Sequence, residues 1–130
     1  MDWKQKREKM DKELKEKIVP LIKGSGFKGS YPHFRKLNGN VIEIIGFQFS
    51  QWGPQFYIEV GIAPNKGITV FGGKYISPEK IKHYHTANRI RVGQSPFDYE
   101  NEDFEKVIHQ ADDALNEAQK WLDQQVKPTA

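Results

Sequence analysis

His83 and His85, one residue apart, are the first place in this chain where residue types and spacing could support catalysis. On extended backbone both imidazoles would point to one face, and a carboxylate such as Glu79 or Asp98 would complete a metal site for a hydrolase. The plainer reading, and the preferred one, is that both rings sit solvated or hydrogen-bonded in a polar loop beside Tyr84. A second group is Gln48, Ser50 and Trp52, alternate residues on one strand face that lead into a turn and would form a polar and aromatic wall for a ligand. Against it, glutamine and serine at a strand end pair with nearby backbone, while Trp52 would cover the edge of a core. No general base neighbours Ser50, so nucleophilic catalysis has little support. A third group, Arg35, Lys36, Arg89 and Arg91 with Tyr31, Phe34 and Tyr57 interleaved, has the mix of charge and rings that single-stranded nucleic acid binders use for phosphates and stacked bases. Basic residues on exposed strands also prevent edge-to-edge pairing, which is the simpler account.

Other chemistry is missing from the pattern. No catalytic triad, zinc signature, phosphate loop or dinucleotide fingerprint has the required spacing. The Gly24-Ser25-Gly26 stretch follows a helix instead of opening one, so it turns the chain and does not cradle phosphate. The chain has no cysteine, which removes disulfides, thiol catalysis and thiolate zinc sites. No cofactor is called for.

Periodicity gives the elements that must position these groups. Trp3, Met10, Leu14, Ile18, Leu21 and Ile22 form one stripe of a helix from Trp3 to Lys23. Pro20 removes an amide donor and clashes with the carbonyl of Glu16, so a kink or restart is expected there and a stop at Gly24. The pairs Glu8–Lys12, Asp11–Lys15 and Glu13–Lys17 argue for a solvated charged face and against one that lies on a membrane. Phe27 to Lys36 predicts a first short strand ending at the Asn38-Gly39 turn. Val41 to Ser50 is apolar on both faces in its first half, as a central antiparallel strand would be.

After a turn at Gln51 to Pro54, Phe56 to Ala63 alternates again. Phe56, Ile58, Val60 and Ile62 should face the helices. Tyr57, Glu59, Gly61 and Ala63 face away, and the small ones leave room for a neighbouring group or a shallow groove. Ser77 is expected to cap a short helix begun by Pro78. Ala87 to Val92 predicts an edge strand with Arg89 and Arg91 outward, and Asn101 to Gln125 predicts the strongest helix, its acidic first turn suiting the helix dipole.

The fold class expected is therefore α+β: an antiparallel sheet of about four to five strands with the N- and C-terminal helices packed on one face. One domain spans residues 1–126, with residues 127–130 as a frayed tail. Net charge is +3, but the middle of the chain, residues 24–92, has nine basic against three acidic residues, and residues 93–130 have three against nine. The preferred reading is that the acidic tail packs near the basic sheet and neutralises it; the other is that the basic face is free for an anionic partner.

Phe34-Arg35, the run Gly46 to Gly53 (GFQFSQWG), the run Phe56 to Ile62 (FYIEVGI) and Arg89 to Gly93 (RIRVG) together resemble a bacterial family of domains of unknown function, the one numbered 4304. Gly26-Phe27, Gln48, Ser50, Trp52, Phe56, Gly61, Arg91 and Gly93 occupy the places of that family's pattern. Glu59 and Val60 depart from it, as does Phe97-Asp98-Tyr99, which stands where the family has a tryptophan-rich segment. The resemblance implies an α+β fold and a bacterial cytoplasmic origin. It implies no reaction and no catalytic residues.

The preferred function is a noncatalytic module that binds another protein, an inhibitor or immunity partner being one form. The binding residues proposed are Gln48, Ser50, Trp52, Tyr57, Arg89 and Arg91. The alternatives are a small-ligand or single-stranded nucleic acid binder on the same face, with nucleic acid not favoured, and a metal-dependent hydrolase on His83 and His85. No membrane partner is expected, since no apolar run approaches the roughly 18 residues a span needs.

Overall fold

The computed structural model describes residues 1–125; the tail expected to fray, residues 127–130, lies outside them, as does the domain limit at residue 126. Helix α1 (Trp3–Lys17) opens on a capping box, Asp2 accepting from the Gln5 amide while the Gln5 side chain accepts from the Asp2 amide. As Pro20 requires, the helix breaks at Ile18 and restarts as α2 (Val19–Gly24), with the proline in its first turn where no amide donor is needed. Met10, Leu14, Ile18 and Ile22 are buried, whereas Trp3 and Leu21 are exposed and fall off the expected stripe. Glu13 pairs with Lys17 as expected, but Asp11 pairs with Arg7 and accepts a bond from the Tyr31 hydroxyl instead of meeting Lys15.

The single strand expected over Phe27 to Lys36 is two, β1 (Lys28–Ser30) and β2 (His33–Asn38), folded back on each other at Tyr31-Pro32. Then come β3 (Val41–Phe49) and β4 (Gln55–Pro64), a small hairpin of β5 (Ile68–Thr69) and β6 (Tyr75–Ile76), and β7 (Arg89–Asp98). The main sheet is antiparallel in the order β1-β2-β3-β4-β7, so β3 is central and β7 an edge. Helix α3 (Phe104–Gln125) begins later than expected. Asp98 binds the amides of Glu100 and Asn101 in a turn, and Asp103 then accepts from the Lys106 amide as the cap.

All three helices cover one face of the sheet. Ile45, Phe47, Phe56, Ile58, Val60 and Val92 meet Met10, Leu14, Val107, Ala111 and Leu122 there in one core. Phe56 and Phe97 stack with centroids 4.8 Å apart at its centre. β7 runs past Val92 through a bulge: residues 93–96 stand where β4 offers Tyr57 alone. The bulge starts at Gly93, whose φ of 70° disfavours a side chain and whose amide donates to Glu117 of α3 at 2.7 Å.

The opposite face is covered by the segment after β5. Ile76 and Ile81 close a second cluster over Ile42, Ile44 and Ala63. Two 3-10 turns, Pro78–Lys80 and His83–His85, complete this cover. Ser77 makes no capping bond to the first of them, contrary to expectation. Among the described residues no helix is long and apolar enough to cross a membrane.

Candidate functional site

Cross-strand pairing builds the outer face row by row. His33, Gly46, Glu59 and Arg91 are successive partners across β2, β3, β4 and β7; Arg35, Ile44, Gly61 and Arg89 form the next row, and Gln48 pairs with Tyr57. The absent side chain of Gly46 leaves a hole in the first row, and His83 fills it. A Cβ at Gly46 would lie 2.0 Å from the His83 Cδ2. The room predicted beside Gly61 is likewise occupied, by Thr86 and the backbone of Asn88.

Seated there, His83 is 2% exposed and its Nδ1–H donates to Glu59 Oε1 at 2.6 Å, while its ring stacks on His33 with centroids 5.7 Å apart. Arg91 Nε donates to the other Glu59 oxygen at 3.0 Å, and Arg89 Nε lies 3.8 Å from the first. Arg89 also donates to the His83 carbonyl. One buried carboxylate thus ties the turn to β4 and β7. Burial pushes the Glu59 pKa up, but hydrogen bonds from Arg91 and His83 outweigh it and hold the group below its ordinary value. Burial holds His83 below its ordinary value although Glu59 pulls it up, so the ring is neutral near pH 7.

His33 is lowered to about 4, by burial first and then by the charges of Lys82, His83 and Arg35. Both histidines therefore have folded pKa values below the unfolded value of about 6.5, so the unfolded chain takes up protons first as pH falls. Their stabilisation is complete above about pH 6.5 and is lost below it, for His33 down to about 4. We expect urea midpoints to decline steadily from pH 7 to 4. For His33 the loss is worth about 1–2 kcal/mol once solvent screening of a partly buried ring is allowed for. His33→Gln should flatten the decline, and a wild-type midpoint constant over that range would contradict the assignment.

The residues singled out in the sequence fall into three places. Gln48, Tyr57, Arg91 and Arg89 share the outer face, with the Arg91 guanidinium 3.7 Å from the centroid of the Tyr57 ring. Ser50 lies just past the end of β3, where its hydroxyl accepts from the Trp52 amide at 3.0 Å. Trp52 itself is 85% exposed at the β3–β4 turn. It does not cover the core as expected, because Phe49, Phe56, Tyr99 and Phe104 already pack together at that end.

His83 and His85 are the third place. They sit in a 3-10 turn, so the extended geometry that would align both imidazoles is not adopted. His83 Nδ1 is engaged by Glu59, and His85 Nδ1 accepts from the Lys82 amide. Asp98 serves the turn before α3. Among the described residues no three His, Asp or Glu side chains converge in a way that would hold a metal ion.

Two further expectations change. Phe34 is fully buried, and Tyr31 packs on Phe47 with its hydroxyl on Asp11, so neither offers a base-stacking surface. The acidic helix α3 lies on the opposite side of the sheet from Arg89 and Arg91; Glu59, not the tail, is their counter-charge. The sequence reading also missed a basic cleft on the outer face, where Arg35 of β2 meets Lys74, Lys80, Lys82 and His85. The signal available was three lysines in an unperiodic loop, with nothing to tie Arg35 to them.

Comparison with known proteins adds one finding. A family model described as "Domain of unknown function (DUF4304)" matches residues 18–128, taking in the whole sheet and leaving α1 outside. No curated protein and no solved structure matches the chain.

Proposed function

We propose that this chain, which belongs to the family described as Domain of unknown function (DUF4304), is a noncatalytic module that binds another protein. Its docking surface is the β3–β4 hairpin end of the outer face. The reading places it in the cytoplasm of a bacterium, as the family resemblance implies, with an inhibitor or immunity partner as one form.

The observation that carries the reading is the exposure of Trp52. Most residues on which the family resemblance rests have a structural task. Phe27 and Phe56 are buried, Gly26 and Gly93 adopt positive φ, Gly61 lies under Thr86, and Ser50 holds the turn. Gln48 and Trp52 are exposed and have none. A large ring held out on a braced turn, with Gln48 and the Arg91–Tyr57 stack on the same sheet face, has the composition of a binding hot spot.

The test is an affinity pull-down from native cytosol at moderate salt, with nuclease-treated and untreated arms. One stoichiometric, nuclease-resistant protein is expected. Trp52→Ala should weaken its binding by roughly 30-fold or more, a hot-spot loss of about 2 kcal/mol, with the melting temperature unchanged. Retention of the partner by Trp52→Ala would overturn the proposed surface, and a nuclease-sensitive capture would overturn the protein partner.

A further inference from the structure

On the same outer face, but sharing no residue with that docking surface, a cavity of about 570 Å³ opens between β2 and the covering segment. That volume falls in the range of small-ligand sites. Arg35, Lys74, Lys80, Lys82, His85 and Ser77 contribute to its wall. Glu79 is the one carboxylate among the lining residues.

The charges here differ in kind from those of Arg89 and Arg91. Those two are neutralised by Glu59, whereas Arg35, Lys74, Lys80 and Lys82 have no carboxylate within ion-pair distance among the described residues. Like charges gathered in a concave site repel, and the gathering is relieved when an anion enters. Arg35 is oriented for it. Its Nε donates to the Ile81 carbonyl at 2.5 Å, fixing the guanidinium plane and leaving the terminal nitrogens for a bidentate contact. His85 accepts at Nδ1 from the Lys82 amide, so its neutral ring keeps a proton on Nε2 as a donor. Burial first, and then the charges of Lys82 and Lys74, hold its pKa below the ordinary value. The Ser77 hydroxyl, unused in capping, is a further donor.

Rings also line the cavity. Tyr84 is half exposed and packs against the His85 ring with centroids 4.6 Å apart. Tyr75 is half exposed and fixed by its hydroxyl on the Lys66 carbonyl. With Ile76 they give the site flat and apolar surface beside its charge. We infer that this cleft binds a phosphorylated small molecule built on a flat ring, the chemistry of a nucleoside phosphate, with phosphates on Arg35 and the lysines and the ring against Tyr84.

Titration calorimetry with ADP, pyrophosphate and adenosine as separate probes tests it. ADP is expected to bind at least tenfold more tightly than either of the others. The double variant Lys74→Ala/Lys80→Ala, both exposed side chains, should lose at least tenfold in ADP affinity without a change in melting temperature. Tyr84→Ala should weaken ADP at least fivefold while leaving pyrophosphate unchanged. No heat with millimolar ADP, or full affinity in the double lysine variant, would overturn the site. Pyrophosphate equal to ADP would overturn the ring contact, and a single-stranded oligonucleotide bound in preference to ADP would overturn the small-molecule assignment. None of these outcomes depends on Trp52, so this site and the protein-docking surface stand or fall separately.

Discussion

Replacing Gly46 by alanine should lower stability by about 3 kcal/mol, at the upper end of overpacking penalties, and lift the His83–His85 turn off the sheet. The added Cβ would meet His83 Cδ2 at 2.0 Å, and also Cγ and Nε2 at 2.8 Å. The ring has no slack to absorb this, because Glu59 holds it at Nδ1, His33 stacks on it and Arg89 holds its carbonyl. Gly46 lies in the middle of β3, where alanine would otherwise be preferred over glycine by roughly 0.5–1 kcal/mol. The sign of the effect is therefore set by contact and not by backbone freedom.

Gly24→Ala is the matching control. Nothing lies within 4 Å of a Cβ there, so a neutral or slightly stabilising effect is expected. Histidine titration by NMR separates ejection of the turn from simple strain. In the wild type burial holds the His83 pKa below its ordinary value, whereas an ejected His83 loses that shift. A Gly46→Ala protein of wild-type stability, with His83 still shielded, would remove the argument that this glycine exists to seat the turn.

The same glycine marks the limit of what the sequence made legible. Strict alternation from Phe56 to Ala63 and the helical spacing from Phe104 to Leu122 are local patterns; both elements formed, and the strand has its predicted face inward. Pro20 likewise acts locally, within the one helical turn that precedes it. The covering segment from Ile68 to Asn88 has no such period, because its packing is set by where it lands on the sheet. His83 reaches Glu59 across 24 positions, and Arg35 reaches Ile81 across 46. The polar half of an alternating strand also conceals its members. Glu59 reads as one more outward residue between Tyr57 and Gly61, and only the fold shows it buried at 6% exposure beneath two arginines and a histidine. Trp52 failed for the opposite reason: an aromatic at a turn is expected to close a core, but Phe49, Tyr99 and Phe104 had already done so.

Glu59→Gln should cost about 2–4 kcal/mol near neutral pH, the range for leaving a buried charge partner unmatched, although the side chain keeps its shape. Glutamine offers one accepting oxygen where the carboxylate offers two, and its amide sets donors against the Nδ1–H of His83 or the Nε–H of Arg91. Arg89 and Arg91 are more than a third exposed and can turn to water, so the loss falls mainly on His83. The pH profile identifies the cause. Glu59 counteracts part of the burial effect on His83, so its removal lowers that ring further and steepens the loss of stability as pH falls below about 6.5. The gap between wild type and variant should first widen there. Because the folded pKa of Glu59 lies below the unfolded value of about 4.5, its own contribution is present above that value and is lost as pH falls through the folded one. Below about pH 4.5 the gap should therefore close. Urea midpoints for both proteins from pH 8 to 3 would show widening followed by convergence. A gap that stays constant across that range would mean that Glu59 acts only as a hydrogen-bond acceptor, and that its charge does nothing to hold the turn carrying His83.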